Sequence, residues 1–437
     1  MLAYHLKIAF KSLRRNPVLS TLLIGGIALG IAVSTAFVTT YYLMASDPIP
    51  EKSDRLFAVQ LDSWEVDDPY DDDHPEEPPL QITYRDLQGI MQSDIPSLQS
   101  GMYKAQLTVH PEAETDRPYR ANTRLCFGDF FAMFDVPFTY GGYWGQQADK
   151  GPEPVVVLSQ ETNQRLFGGE NSVGRTVRLE DRDFTVVGVM DAWQPMIKYY
   201  DVNNFQFDES EEIFIPFNFN RPLELSSSGN TSGWKFHPGN EYEDFLQSEN
   251  VFIQMWVQLD SDRQRDEYLS FLDAYTEGQR ELGRFERPTN NRVRPVMEWL
   301  EVNEVVPEEA KLMLIIAVLF LLVCSVNLIG ILLGKFLARA PEVGVRRALG
   351  ASKLSIFAQH LVECELIGLL GGGIGIVLSA LALELINGLF DDTFSFGLDL
   401  NMVGAGVLLS LVSGLIAGVY PAWRICRVAP ASHLKLQ

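Results

Sequence analysis

Cysteine is scarce in this sequence and scattered: Cys324, Cys364 and Cys426 lie in or beside apolar runs, and Cys126 alone falls in the polar middle. An intrachain disulfide within that middle is excluded, and no Cys or His spacing has the pattern of a metal site. The six histidines are equally dispersed. His74 sits in the acidic run Glu65 to Glu77 (EVDDPYDDDHPEE), which reads as a solvated proline-containing loop, with a divalent-cation loop as the alternative. No G-x-x-x-x-G-K-S/T occurs, so the phosphate-cradling loop of a nucleotide hydrolase is missing and the chain is not expected to be an enzyme. Basic residues are outnumbered, 35 against 57 acidic, and the formal charge of −22 argues against a nucleic-acid partner.

Long apolar runs are abundant: one near the start and three in the last third bracket a polar acidic insert of 265 residues, Met44 to Glu308. Val18 to Met44 holds 27 residues without a charge, about 40 Å of helix against a hydrocarbon core of ~30 Å. Leu312 to Leu333 is also charge-free, and two Gly-rich runs follow. The expectation is a membrane α-helical protein with four transmembrane helices, over residues 17–44, 309–334, 354–388 and 398–422. The first is expected to be an uncleaved anchor, because it exceeds the ~7–15-residue core of a secretory signal and Tyr41 to Asp47 offers no small-x-small cleavage site. Asn16 is placed to N-cap it, and Pro17 to occupy its first position. In residues 1–16, Leu2, Leu6, Ala9, Phe10 and Leu13 share one helical face and Lys7, Lys11 and Arg14 another, the pattern of a helix in the headgroup plane.

Orientation follows from Lys and Arg. The segment before the first span, the link at 335–353 (Lys335, Arg339, Arg346, Arg347, Lys353) and the tail at 423–437 (Arg424, Arg427, Lys435) carry 12 basic residues against the single acid Glu342. All three are expected in the cytoplasm. The insert holds 49 acidic and 22 basic residues, so the net charge belongs to a domain outside.

That domain, residues 45–308, reads as α/β. Strands are expected at Arg55 to Leu61, Pro154 to Leu158, Val251 to Leu259 and Arg292 to Leu300, the last leading back to the membrane. Arg175 to Glu180 and Phe184 to Met190 form a hairpin pattern around Asp181 and Arg182. Helices are expected at Thr83 to Gln92, after Ser159 with a stop at Gly168 and Gly169, and at Arg263 to Phe285. Two subdomains follow from this patterning: a β-rich part at 121–219 inserted into a part made of 45–120 and 220–308.

Three features of the membrane part carry chemistry or packing. The link segment Glu342 to Ser352 (EVGVRRALGAS) reads as a short amphipathic helix with paired arginines and a Gly stop, suited to docking on another protein; the plainer reading is a charged loop that sets topology. Gly26 and Gly30 form a G-x-x-x-G, and Gly406, Ser410, Gly414 and Gly418 recur every fourth residue, a packing stripe whose partner, the same subunit or a second one, is open. Glu363 and Glu365 lie roughly 13 Å into the third span, where a carboxylate is costly. A buried hydrogen bond or a headgroup-level position is expected for them, with a proton relay as the alternative.

Together the opening Ala9 to Ala32 (AFKSLRRNPVLSTLLIGGIALGIA), EVGVRRALGAS, Ile367 to Gly375 (IGLLGGGIG) and Gly414 to Lys435 (GLIAGVYPAWRICRVAPASHLK) resemble the permeases of the MacB and FtsX superfamily of ABC transporters. Val155 to Met190 (VVVLSQETNQRLFGGENSVGRTVRLEDRDFTVVGVM) resembles the periplasmic core domain of MacB-like members, and 45–120 with 220–308 would be its porter-like part. The resemblance implies an inner-membrane permease acting as a dimer, identical or heteromeric, with a periplasmic domain and two cytoplasmic ABC ATPase subunits that bind ATP and Mg. In that picture Glu342, Gly344, Arg346, Arg347, Ala348 and Gly350 belong to the ATPase-coupling helix, and a Glu is common at the Glu363 position. It further implies mechanotransmission and efflux of peptides, antibiotics or toxins through a periplasmic adaptor and outer-membrane channel. A lipoprotein-releasing permease of the LolC and LolE kind, or an FtsX-like regulator of a cell-wall hydrolase, are the alternatives. Two departures stand out: MacB carries its nucleotide-binding domain on the same chain, and Trp423, Ile425 and Cys426 stand where relatives usually have small or basic residues.

Overall fold

The computed structural model describes residues 2–111, 117–236, 239–389 and 397–427. The chain divides into two compact units: residues 47–305, and the two ends together. The end unit begins with α1 (Leu2–Arg15) and α2 (Pro17–Ala45). Pro17 takes the first position of α2 as expected, but the Asn16 side chain makes no capping bond. Asn16 is left exposed where its reach was expected to satisfy the first turn.

Within residues 47–305 the elements are β1 (Leu56–Gln60), β2 (Ile82–Thr83), α3 (Tyr84–Ile90), β3 (Leu98–His110), β4 (Tyr119–Cys126), α4 (Asp129–Met133), β5 (Phe138–Gly141), α5 (Gln146–Lys150), β6 (Val155–Leu158), α6 (Gln160–Phe167), β7 (Thr176–Leu179), β8 (Arg182–Met190), β9 (Ile213–Pro216), α7 (Tyr242–Leu246), β10 (Val251–Gln258), α8 (Asp262–Glu281), β11 (Arg292–Pro295) and α9 (Val296–Val302). Among the described residues these strands form one mixed sheet in the order β11-β1-β10-β3-β4-β9-β6-β8-β5, with β2 on β10 and β7 bridging β3 and β8. Both faces are covered. Phe57, Val59, Tyr103, Leu107, Val156 and Leu158 point to one core with Leu87, Tyr268 and Leu272. Leu56, Ala58, Val157, Phe214 and Trp256 point to the other, with Phe130, Phe131, Trp299 and Leu300. A strand buried on both sides needs consecutive apolar residues, which is why Val155 to Leu158 and Leu56 to Val59 read as unbroken runs.

Several local signals act as expected. Ser159 Oγ accepts from the Thr162 amide, and Gly168 ends α6 with φ +65°, a left-handed stop that Gly adopts without steric cost. The β7–β8 hairpin turns at Glu180 and Asp181. Arg292 to Leu300 differs: the strand stops at Pro295, and Val296, Trp299 and Leu300 are buried on one face of α9. Their i, i+3, i+4 spacing is helical, not alternating. The subdomain boundary expected near Ala121 falls inside β4, which pairs with β3 from Met102 opposite Cys126 to Val109 opposite Tyr119. The sheet is therefore continuous across it. β3 and β4 have no counterpart in the expectations above, although Lys104, Gln106, Arg120, Asn122 and Arg124 alternate with Tyr103, Ala105, Leu107, Ala121 and Leu125 in the period of two that marks a strand.

The end unit resumes with α10 (Glu308–Leu337), α11 (Ala340–Ala348), α12 (Lys353–Leu389) and α13 (Leu400–Cys426). Among the described residues α2, α10, α12 and α13 are long and apolar enough to cross a membrane. The last ten residues of the expected tail, 428–437 with Lys435, lie outside the described residues.

Candidate coupling site

The four long helices pack through glycine. A methyl placed on Gly26 would lie 3.5 Å from Leu328, and one on Gly30 3.0 Å from Leu321, so this pair faces α10. Methyls on Gly406, Gly414 and Gly418 would lie 2.9 Å from Ile376, 3.2 Å from Glu365 and 2.5 Å from Cys364, and one on Gly372 would lie 2.3 Å from Ser410. The stripe on α13 thus meets α12 of the same chain. Gly371 and Gly375 of α12 in turn admit Ile27 and Ile31 of α2. At Gly371, Gly372, Gly375 and Gly418 an added Cβ would overlap the neighbouring helix, whereas at Gly26 it would only touch it.

At one end of this bundle lies a polar knot centred on Glu363, which is 1% exposed. Lys335 Nζ stands 2.8 Å from Glu363 Oε1 as an ion pair, Arg339 Nη1 3.6 Å from Oε2, and His360 Nδ1 3.9 Å from the same oxygen. Ser12 Oγ donates to Glu363 Oε1 and accepts from Arg339 Nη1 at 2.6 Å. The His360 ring packs on Phe336, centroids 4.3 Å apart. A carboxylate in an apolar bundle is tolerable only when cations and donors surround it. Here they come from α1, from the end of α10 and from the residue before α11. Lys335 and Arg339 were legible as topology signals; their i, i+4 spacing is what places both over Glu363. Glu365, two residues on, points elsewhere: both its oxygens are buried against α13 with no hydrogen-bond partner.

α11 stands on the knot. Its Ala340, Val343 and Gly344 are buried, Ala340 and Val343 in the core that holds Leu13, Phe336, Ile356 and Ile425. Gly350, φ +99°, ends the segment in the left-handed region. The two arginines turn inward: Arg346 Nη1 donates to Gln359 Oε1 at 2.8 Å on α12, and Arg347 Nη1 to the Cys426 carbonyl at 3.3 Å on α13. What faces out is Glu342, Val345, Ala348 and Leu349, the last 83% exposed, followed by Leu354 at 76%. The outward surface is apolar with one acid, whereas the paired charges brace the helix against its own bundle. Ile425 and Cys426, unusual for the expected tail, belong to that brace and are buried. Trp423 is half-exposed and carries the Arg427 guanidinium 4.7 Å over its ring.

In the other unit the acidic run is anchored at Tyr70, whose ring lies edge-on to Trp64 with centroids 5.1 Å apart, and again at its end. Arg294 Nη1 pairs with Glu77 Oε2 at 2.7 Å, and Arg287 Nη2 and Asn290 Nδ2 donate to the Pro75 and Glu76 carbonyls. Among the described residues no group of three His, Cys, Asp or Glu side chains converges as metal ligands would. A second charged cluster escaped the sequence reading altogether. Arg124, Lys198, Asp201 and Glu211 are all buried, with Arg124 Nη2 2.5 Å from Asp201, Lys198 Nζ 2.9 Å from Glu211, and a further Arg124–Glu211 bond. Burial opposes the charge on Glu211, but Arg124 and Lys198 outweigh it and hold the carboxyl at about 2; for Asp201 burial prevails over the same cations and raises the pKa.

Residues 20–270 match the family of the MacB-like periplasmic core domain, and residues 314–430 the FtsX-like permease C-terminal family. The macrolide export ATP-binding/permease protein MacB of Syntrophobacter fumaroxidans is 24% identical over 344 residues, 70% of this chain and 46% of the relative. The protein of the same name from Escherichia coli O157:H7 is 24% identical over 308 residues, 70% of this chain and 42% of the relative. The chain thus spans less than half the length of these relatives. Among solved structures, the periplasmic region of MacB from Actinobacillus actinomycetemcomitans covers 59% of this chain and 95% of its own, at 12% identity and a TM-score of 0.38. The extracellular domain of the noncanonic ABC-type transporter YknZ from Gram-positive bacteria covers 55% and 99%, at 11% identity and a TM-score of 0.34. With the first family spanning more than half of the sequence and the second most of its end, the chain belongs to the MacB/FtsX superfamily of permeases.

Proposed function

We propose that this permease is the membrane subunit of an ABC transporter that works by mechanotransmission. Two cytoplasmic ATPase subunits, which hold ATP and Mg, close on each cycle and drive the periplasmic domains of two permeases, identical or homologous. Those domains push peptides, antibiotics or amphipathic toxins toward an adaptor and an outer-membrane channel. In this reading the chain lies in the inner membrane with both termini and α11 in the cytoplasm.

The observation that carries the proposal is the construction of α11. A docking helix that transmits force needs an outward apolar face to fill a partner's groove and a stiff inward attachment. Val345, Ala348 and Leu349 supply the first. Buried Val343 and Gly344, with the Arg346 and Arg347 bonds to α12 and α13, supply the second. The test is a double substitution Val345→Glu and Leu349→Glu, which alters exposed positions only. Membrane insertion should be normal while the ATPase recovered with the wild-type chain, identified by mass spectrometry, no longer co-purifies. Undiminished ATPase recovery would reduce α11 to a topology signal.

A further inference from the structure

We infer that the groove where the end of α1, the start of α2 and the last turns of α10 meet holds an anionic phospholipid, headgroup and adjoining acyl chain. It is a cavity of about 630 Å³. Its two halves differ in chemistry.

The apolar half is a slot on α10. Gly330 and Gly334 open into it between Leu19 and Ile331, and a methyl on either glycine would meet no atom within 4 Å. The glycines at Gly371, Gly372, Gly375 and Gly418 are filled by a neighbouring helix of the same bundle, with the nearest atoms 2.3 to 2.8 Å from a built Cβ. The α10 pair is therefore a small-residue surface on which, among the described residues, nothing is packed.

The polar half is cationic. Arg15 is exposed at the mouth, and Lys335 and Arg339 line the groove while holding Glu363, Arg339 Nη1 being engaged by Ser12 as well. Beside them α2 begins with Pro17 and no side-chain cap from Asn16, so the amides of its first turn and the positive end of its dipole are open to an anion. Glu342 is the one acid among the residues lining the groove. A phosphate with its glycerol-linked chain satisfies both halves together. A second helix would fill the slot and leave exposed Arg15 unanswered, and a choline headgroup would bring a cation to the arginines. The inference is independent of any ATPase partner.

The test is native mass spectrometry of the full-length chain, offered phosphatidylglycerol and phosphatidylcholine with the same acyl chains. Phosphatidylglycerol should be retained preferentially, and excess inorganic phosphate should not displace it. Arg15→Gln should lower its retention about fivefold, the effect of one basic residue at an anionic lipid surface. Gly334→Leu, which fills the slot without touching a charge, should lower it at least as much. Both variants change side chains in open space, and thermal melting confirms that they fold. Equal retention of the two lipids, displacement by phosphate, or unchanged retention in both variants would each overturn the proposal. So would a Gly334→Leu effect confined to cross-linking between copies, which would give the slot to a second chain's helix.

Discussion

At the scale of single residues, two glutamates in one helix turn illustrate opposite solutions to burial. Glu363 is enclosed by Lys335, Arg339, Ser12 and His360, so removing its charge strands two cations in an apolar bundle. Glu363→Gln is expected to cost about 3–5 kcal/mol, seen as a lower melting temperature of the detergent-purified chain. Among the described residues Glu365 has no hydrogen-bond partner for either oxygen. Glu365→Met should leave the melting temperature unchanged or raise it, because an unsatisfied polar group is replaced by one that needs no partner. A large loss of stability in the Met variant would mean that Glu365 is paired in the membrane.

Elements are held by contacts that tolerate little change. The α12–α13 seam closes through Gly418, where a methyl would sit 2.5 Å from the Cβ of Cys364, an atom tied to the backbone. Gly418→Ala should therefore destabilise by about 1–3 kcal/mol, whereas Gly404→Ala, which meets nothing, should not; parallel melts decide it. In the other unit the segment between β8 and β9 is fastened to Arg124 on β4 by Asp201 and Glu211, and Glu211 also pairs with Lys198. Glu211 is held at about 2 against an ordinary 4.5, so the stability it contributes is complete above pH 4.5 and is lost as pH falls toward 2. Asp201, shifted up by burial, acts the other way: its cost at neutral pH is relieved on acidification. Glu211→Gln is expected to lower the urea midpoint at pH 7 and to flatten its fall below pH 4.5, followed by the fluorescence of buried Trp256.

For the molecule as a whole, the proposed topology makes a direct forecast. A cysteine introduced as Asp71→Cys should react with an impermeant maleimide in intact cells with a permeabilised outer membrane, and one at Ser352→Cys only after lysis. Asp71 and Ser352 are both exposed, so accessibility within the fold does not confuse the reading. Labelling of both, or of Ser352→Cys alone, would invert or dissolve the orientation.

Much of this architecture was legible in the sequence because it rests on local patterns: uninterrupted apolar length for the four long helices, the Ser159 cap and Gly168 stop for α6, and consecutive apolar residues for strands covered on both faces. The short helix α11 was visible through its Gly350 stop, although it runs from Ala340 to Ala348 and not from Glu342 to Ser352. What only the tertiary structure decided are relations between residues far apart in the chain. Arg346 and Arg347 read as part of a docking helix, yet Gln359 and the Cys426 carbonyl claim them, and apolar Val345 and Leu349 take the outer face. Glu363 acquires a reason only when Ser12, Lys335 and Arg339, separated from it by up to 351 positions, close around it. The glycine stripe on α13 found its partner in α12 of the same chain for the same cause. Periodicity records which face of an element avoids water, but a buried charge or a missing side chain is explained by whichever distant group completes it.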